Sequence, residues 1–117
     1  MKLLIFVLYD TDKLDAVLTK FAQSNICGAT ILDSKSMAGL LYSEHEEDEI
    51  PFLGMLRSFA TPERAKSNVV LAGIDDDKLD EAVKAIESVV GDLSKENTGV
   101  VFSIPMDYTK GIYKSGK

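Results

Sequence analysis

The densest set of ionisable side chains is Glu44-His45-Glu46-Glu47-Asp48-Glu49, five acids around the only histidine. Hard divalent cations take carboxylate oxygens, so this run holds the donors for a cation site. An acidic loop tip kept in water is the simpler account of the same residues.

Other reactive groups are sparse. Cys27 is the single cysteine, which excludes an internal disulfide and a multi-cysteine metal site. No Lys, Arg or His stands beside it to activate a thiolate, so it is expected to pack in the core at the opening of a strand. His45 lies in an acidic stretch far from any likely serine or cysteine partner, and no catalytic set emerges. The chain therefore reads as a binding protein and not as an enzyme.

The elements that would position these groups follow from the apolar pattern. Leu3 to Leu8 is a continuous apolar run ended by Asp10-Thr11-Asp12, which predicts a central strand over Lys2 to Tyr9. It is too short for a signal-peptide core, so it is not a targeting segment. Leu14, Val17, Leu18 and Phe21 then repeat at the spacing of one helical face, with Thr11 or Asp12 as cap and Asn25 as terminator. Ile26 to Asp33 reads as a second strand. Val69 to Ile74 reads as a third, followed by a helix with Leu79, Val83, Ile86 and Val90 on one face and Gly91 at its end. Gly99 to Ile104 supplies the fourth strand, stopped by Pro105, and a short fifth is expected near Ile112-Tyr113.

Asp12-Lys13-Leu14-Asp15 recurs as Asp77-Lys78-Leu79-Asp80 at the same place after a strand, so the chain looks like a β-α-β unit duplicated once. Two such units interleave as an α+β, ferredoxin-like βαββαβ domain spanning 1–117, a four-stranded antiparallel sheet with two helices on one face. The other face is left bare, and an apolar bare face calls for cover by another subunit, a ligand or extra chain, so oligomerisation is expected.

With 19 acidic and 13 basic residues the net charge is -6, which argues against nucleic acid. With 45% apolar and 27% charged residues the balance is that of an ordinary globular protein and not of a membrane chain, and the cysteine usage fits a cytoplasmic protein. Ser34 to Ser67 is too long for a plain connection and is the expected seat of function. Within it Phe52, Leu53, Met55, Leu56 and Phe59 form an apolar cluster suited either to docking a partner or to folding back on the bare sheet.

The order of the pieces resembles the P-II-like signalling family: an opening strand, an acidic Lys-Leu-Asp helix start, Gly28-Ala29-Thr30 before strand two, and Lys35-Ser36-Met37-Ala38-Gly39 entering a long loop. The likeness continues through Asp77-Lys78-Leu79-Asp80 and Gly99-Val100-Val101-Phe102-Ser103-Ile104-Pro105. It implies a homotrimer with an adenine nucleotide as effector in clefts between subunits, no required cofactor, and a long loop that grips a membrane transporter or an enzyme. The resemblance carries ligand binding to Gly28, Thr30, Lys35, Gly39 and Gly99, and partner binding to the loop with Tyr42, Phe52, Leu53, Met55, Leu56 and Phe59.

The family's phosphate-gripping Arg and Lys positions read here as Leu40, Val100 and the stretch Gly111 to Tyr113. Only Lys35, Lys110, Lys114 and Lys117 stand near the expected places, so tight ATP binding in the usual manner is not expected. Relatives of the same topology that are phosphatases need an Arg after strand one, where this chain has Tyr9-Asp10-Thr11-Asp12, whose acids repel phosphate. Two alternatives stay open: a divalent-metal-responsive trimer of the metal-tolerance type, and an ACT-like amino-acid-binding regulatory domain.

Overall fold

The computed structural model describes residues 1–37, 40, 66–95 and 98–112. Strand β1, Lys2–Leu8, is central because both its faces are apolar: Leu4, Phe6 and Leu8 are fully buried, while Leu3, Ile5 and Val7 are half-buried on the opposite face. Strand β3, Lys66–Ile74, runs antiparallel beside it, with Lys2 opposite Ile74 and Leu8 opposite Asn68. Strands β2, Thr30–Lys35, and β4, Gly99–Pro105, form the two edges, in the order β2-β3-β1-β4. This is the four-stranded antiparallel, ferredoxin-like α+β arrangement that the duplicated pattern predicts.

Helices α1, Leu14–Gln23, and α2, Leu79–Val90, complete the core. Val17 and Phe21 from α1, and Ala82, Ala85, Ile86 and Val90 from α2, pack with Leu4, Phe6, Leu8, Val70, Ala72 and Ile74 of the sheet. The buried face of α2 thus includes two alanines between its larger residues, and small side chains there allow the helix close to the strands.

The internal repeat is structural as well as sequential. Thr11–Lys13 and Asp76–Lys78 each form a single 3-10 turn, and the helix then begins at Leu14 in one half and Leu79 in the other. The cap of the first turn is neither Thr11 nor Asp12 but Asp10, whose carboxylate accepts from the Asp12 N–H at 3.3 Å. Past α1, Asn25 adopts a left-handed φ of 61°, and past α2 Gly91 does so at 91°, as expected of terminators. Beyond Gly91 the exposed Asp92 accepts from the hydroxyl and the N–H of Ser94, which hold its carboxyl below the usual range.

Strand boundaries differ from expectation for identifiable reasons. Residue 26 does not begin β2, because the Ile26 N–H donates to the Phe21 carbonyl at 2.8 Å and ties the chain back to α1. Pairing starts at Thr30 opposite Leu71 and continues to Lys35 opposite Lys66. Two side-chain bonds hold that extension: Ser34 and Ser67 hydroxyls at 2.7 Å, and Asn68 Nδ2 to Asp33 Oδ1 at 3.2 Å. At the edge, Pro105 ends β4 where no ladder donor is needed. Ile112 is not in a strand; it lies over Gly73, where a Cβ would meet its Cδ1 at 2.6 Å. Tyr113 lies outside the described residues.

The helix-free face presents Leu3, Ile5 and Val7 from β1, Val69 and Leu71 from β3, Leu32 from β2, and Val100, Phe102 and Ile104 from β4, in register across the sheet, with Thr30, Ser34 and Ser67 as its polar positions. No charged residue occupies a strand position on this face. Leu32, Phe102 and Ile104 are 48%, 52% and 48% exposed, and the others are half-buried. Among the described residues no helix is long and apolar enough to cross a membrane.

Candidate functional site

Alternation along β2 sends Ile31, Asp33 and Lys35 to the helix side of the sheet, since Ile31 lies opposite the buried Val70. Asp33 therefore meets Asn68, and Lys35 meets Lys66, at the end of the sheet next to the start of α1. Between them runs a groove of about 500 Å³, bordered by Thr11, Leu14, Asp33, Lys35, Lys66 and Asn68. The volume lies in the range of small-molecule sites. Asn68 is nearly buried and its amide holds the Asp33 carboxylate in place, so one wall is an ordered polar surface. The acids flanking Thr11 do not line the groove; Asp10 is turned toward the N–H of Asp12.

Of the predicted ligand residues, those described, Gly28, Thr30, Lys35 and Gly99, are spread over the chain and not brought together. Gly28 lies in the loop before β2 and lines a small cleft of about 70 Å³ with Met1, Cys27, Lys78 and Ile112. Thr30 opens β2, and Lys35 ends it roughly 17 Å away at the usual rise per residue. Gly99 opens β4 opposite Leu8, at the same end of the sheet as Lys35 but on the other edge, three strand spacings or roughly 14 Å away. Gly39, the loop residues Tyr42, Phe52, Leu53, Met55, Leu56 and Phe59, and the acidic run around His45 lie outside the described residues. Lys110 is exposed, and Lys114 and Lys117 are likewise outside. Among the described residues no group of three His, Cys, Asp or Glu side chains could hold a metal ion.

Cys27 is exposed and not a core residue, a correction with a clear cause. The hydrogen bond that ties residue 26 to α1 turns Ile26 inward, 7% exposed, and sends its neighbour out. Cys27→Ser is accordingly expected to alter unfolding free energy by no more than about 0.5 kcal/mol. Ile26→Ala should cost about 2 kcal/mol or more, and paired urea melts compare the two.

No protein-family model matches the chain, and no curated protein matches it. The functional reading rests on geometry. The pairing of Asp33 with Asn68 and of Lys35 with Lys66 is not legible in the sequence, because it depends on the register of β2 against β3, and a connection of thirty residues (36–65) leaves that register open. The available signal was parity: once Val70, Ala72 and Ile74 are taken as core, Asn68 and Lys66 fall on the same face.

Proposed function

We propose that the chain is a ligand-sensing regulatory protein that resembles the P-II-like family, working as a homotrimer and carrying no catalytic site. In this reading an effector, an adenine nucleotide first among candidates, sits in clefts between subunits, and the segment 34–67 contacts a transporter or enzyme in the cytoplasm. The observation that carries it is the uncharged apolar sheet face. Such a patch has no charge with which to select a foreign partner, whereas a second copy brings an identical apolar patch. Covering Leu32, Phe102 and Ile104, each about half exposed, gains roughly 1 kcal/mol apiece. The wide separation of Gly28, Thr30 and Lys35 from Gly99 supports the same reading, because opposite sheet edges meet only when neighbouring copies adjoin.

Sedimentation beside a thermal-shift panel tests this. The expected result is a mass three times 12.8 kDa and stabilisation by ATP, ADP, AMP or a cyclic nucleotide. Lys35→Ala should weaken nucleotide binding about tenfold, a loss of one charge-assisted contact; unchanged affinity removes Lys35 from the site. A dimer stabilised by amino acids would favour the ACT-like alternative. A trimer stabilised by divalent metals and indifferent to nucleotides would favour the metal-tolerance type.

A further inference from the structure

Lys35 and Lys66 stand directly opposite each other in the β2–β3 ladder, on the helix side of the sheet. Like charges at such positions repel and destabilise a strand pair. The ion pairs among the described residues are Met1 with Asp76 and Lys78 with Glu81, and neither lysine takes part in one. The two lysines line a groove of about 500 Å³ whose other polar residues, among those described, are Thr11, Asp33, Ser34, Ser67 and Asn68. An anion between them would turn the repulsion into two attractions, and each lysine supplies three donors to oxygen.

We infer that this groove is a binding site for a small oxyanion-bearing metabolite of about sugar-phosphate size, its phosphoryl or carboxylate group held between Lys35 and Lys66. Thr11 and Asn68 offer hydrogen bonds to the rest of the ligand. Asp33 offers an acceptor only, which selects molecules that carry hydroxyl or amine donors and disfavours polyanions. All five residues belong to one copy, so the site does not depend on the trimeric reading.

The test uses inorganic phosphate and succinate as probes, with sodium chloride matched in ionic strength. Thermal melts should rise along a saturating curve with one of the two probes, by roughly 5 °C or more at hundredfold excess over Kd, while chloride produces no saturation. The better probe identifies phosphoryl or carboxylate as the recognised group. Lys66→Met should melt at or above the wild type without ligand, because the repulsion is gone, yet bind the probe at least tenfold more weakly; Lys66→Arg should restore binding. Lys35→Met gives the same comparison from the other strand. The Phe102→Asp chain, expected to be a single subunit, should bind the probe as the wild type does, which separates this site from the inter-subunit proposal. A rise that chloride reproduces, or affinity unchanged in both methionine variants, overturns the inference.

Discussion

Phe102→Asp is expected to convert the proposed trimer into free single chains while leaving the fold intact. In one copy the Phe102 side chain is 52% exposed, in the row Thr30, Leu71, Ile5, Phe102 across the helix-free face. A carboxylate there keeps its water in the isolated subunit, so the cost to folding is small on the scale of stability. In an assembly that buries this face, each copy must instead desolvate an unpaired charge, at an effective cost of several kcal/mol per ion, and the charges of adjoining copies repel one another. Against a gain of roughly 1 kcal/mol from the half of Phe102 that is covered, the charge wins. Sedimentation should move to 12.8 kDa, with an unchanged far-ultraviolet circular dichroism spectrum. Ser103→Asp is the control: its neighbour on the same strand points to the helix side and is exposed, and the variant should keep the wild-type mass. A wild-type chain that sediments alone across the micromolar range would sink the trimeric reading before any variant is made.

How far the residues themselves reveal this architecture depends on the length over which each physical signal acts. The duplicated Lys-Leu-Asp starts, the apolar runs of β1 and β3 and the helical faces are local patterns, and each falls within a few residues of its expected place. The boundary of β2 was missed because it turns on one backbone hydrogen bond, from Ile26 to Phe21, and on two cross-strand side-chain bonds at Ser34 and Asp33. Neither has a periodic signature. The same failure displaced Cys27 from the surface to the core. The groove was harder still, since Lys35 and Lys66 come together only through a pairing across a long connection, and a slip of one residue in β2 would send Lys35 to the other face while Lys66 stayed. A resemblance in the order of elements could point to Gly28, Thr30, Lys35 and Gly99 one at a time. It could not say that they occupy opposite edges of a single sheet.

Gly99→Ala is the second substitution with a large expected effect, and its value lies in the contrast with Gly28→Ala. Gly99 has a φ of 144°, and a Cβ added there would stand 2.6 Å from the Val7 carbonyl oxygen and 2.8 Å from the Phe6 ring. Backbone conformations open mainly to glycine cost on the order of 1–3 kcal/mol for other residues, and forcing an atom into a packed core costs a similar amount. The carbonyl belongs to the central strand and Phe6 is fully buried, so neither can withdraw cheaply. Roughly 2–5 kcal/mol is a large part of the stability of a domain this size, and urea melts should show the midpoint falling accordingly with m unchanged. The glycine at 99 is thus required by sheet packing alone, and weakened ligand binding in this variant would be no sign of a contact. Gly28 is the opposite case: nothing lies within 4 Å of a Cβ at that position, and its φ is not in the left-handed range. Gly28→Ala should therefore melt like the wild type, so any loss of effector affinity in it reports on the proposed inter-subunit cleft directly. If both the melting curve and the nucleotide affinity are unchanged in Gly28→Ala, the cleft does not use that loop, and Thr30 and Lys35 are left to carry the β2 edge of the site.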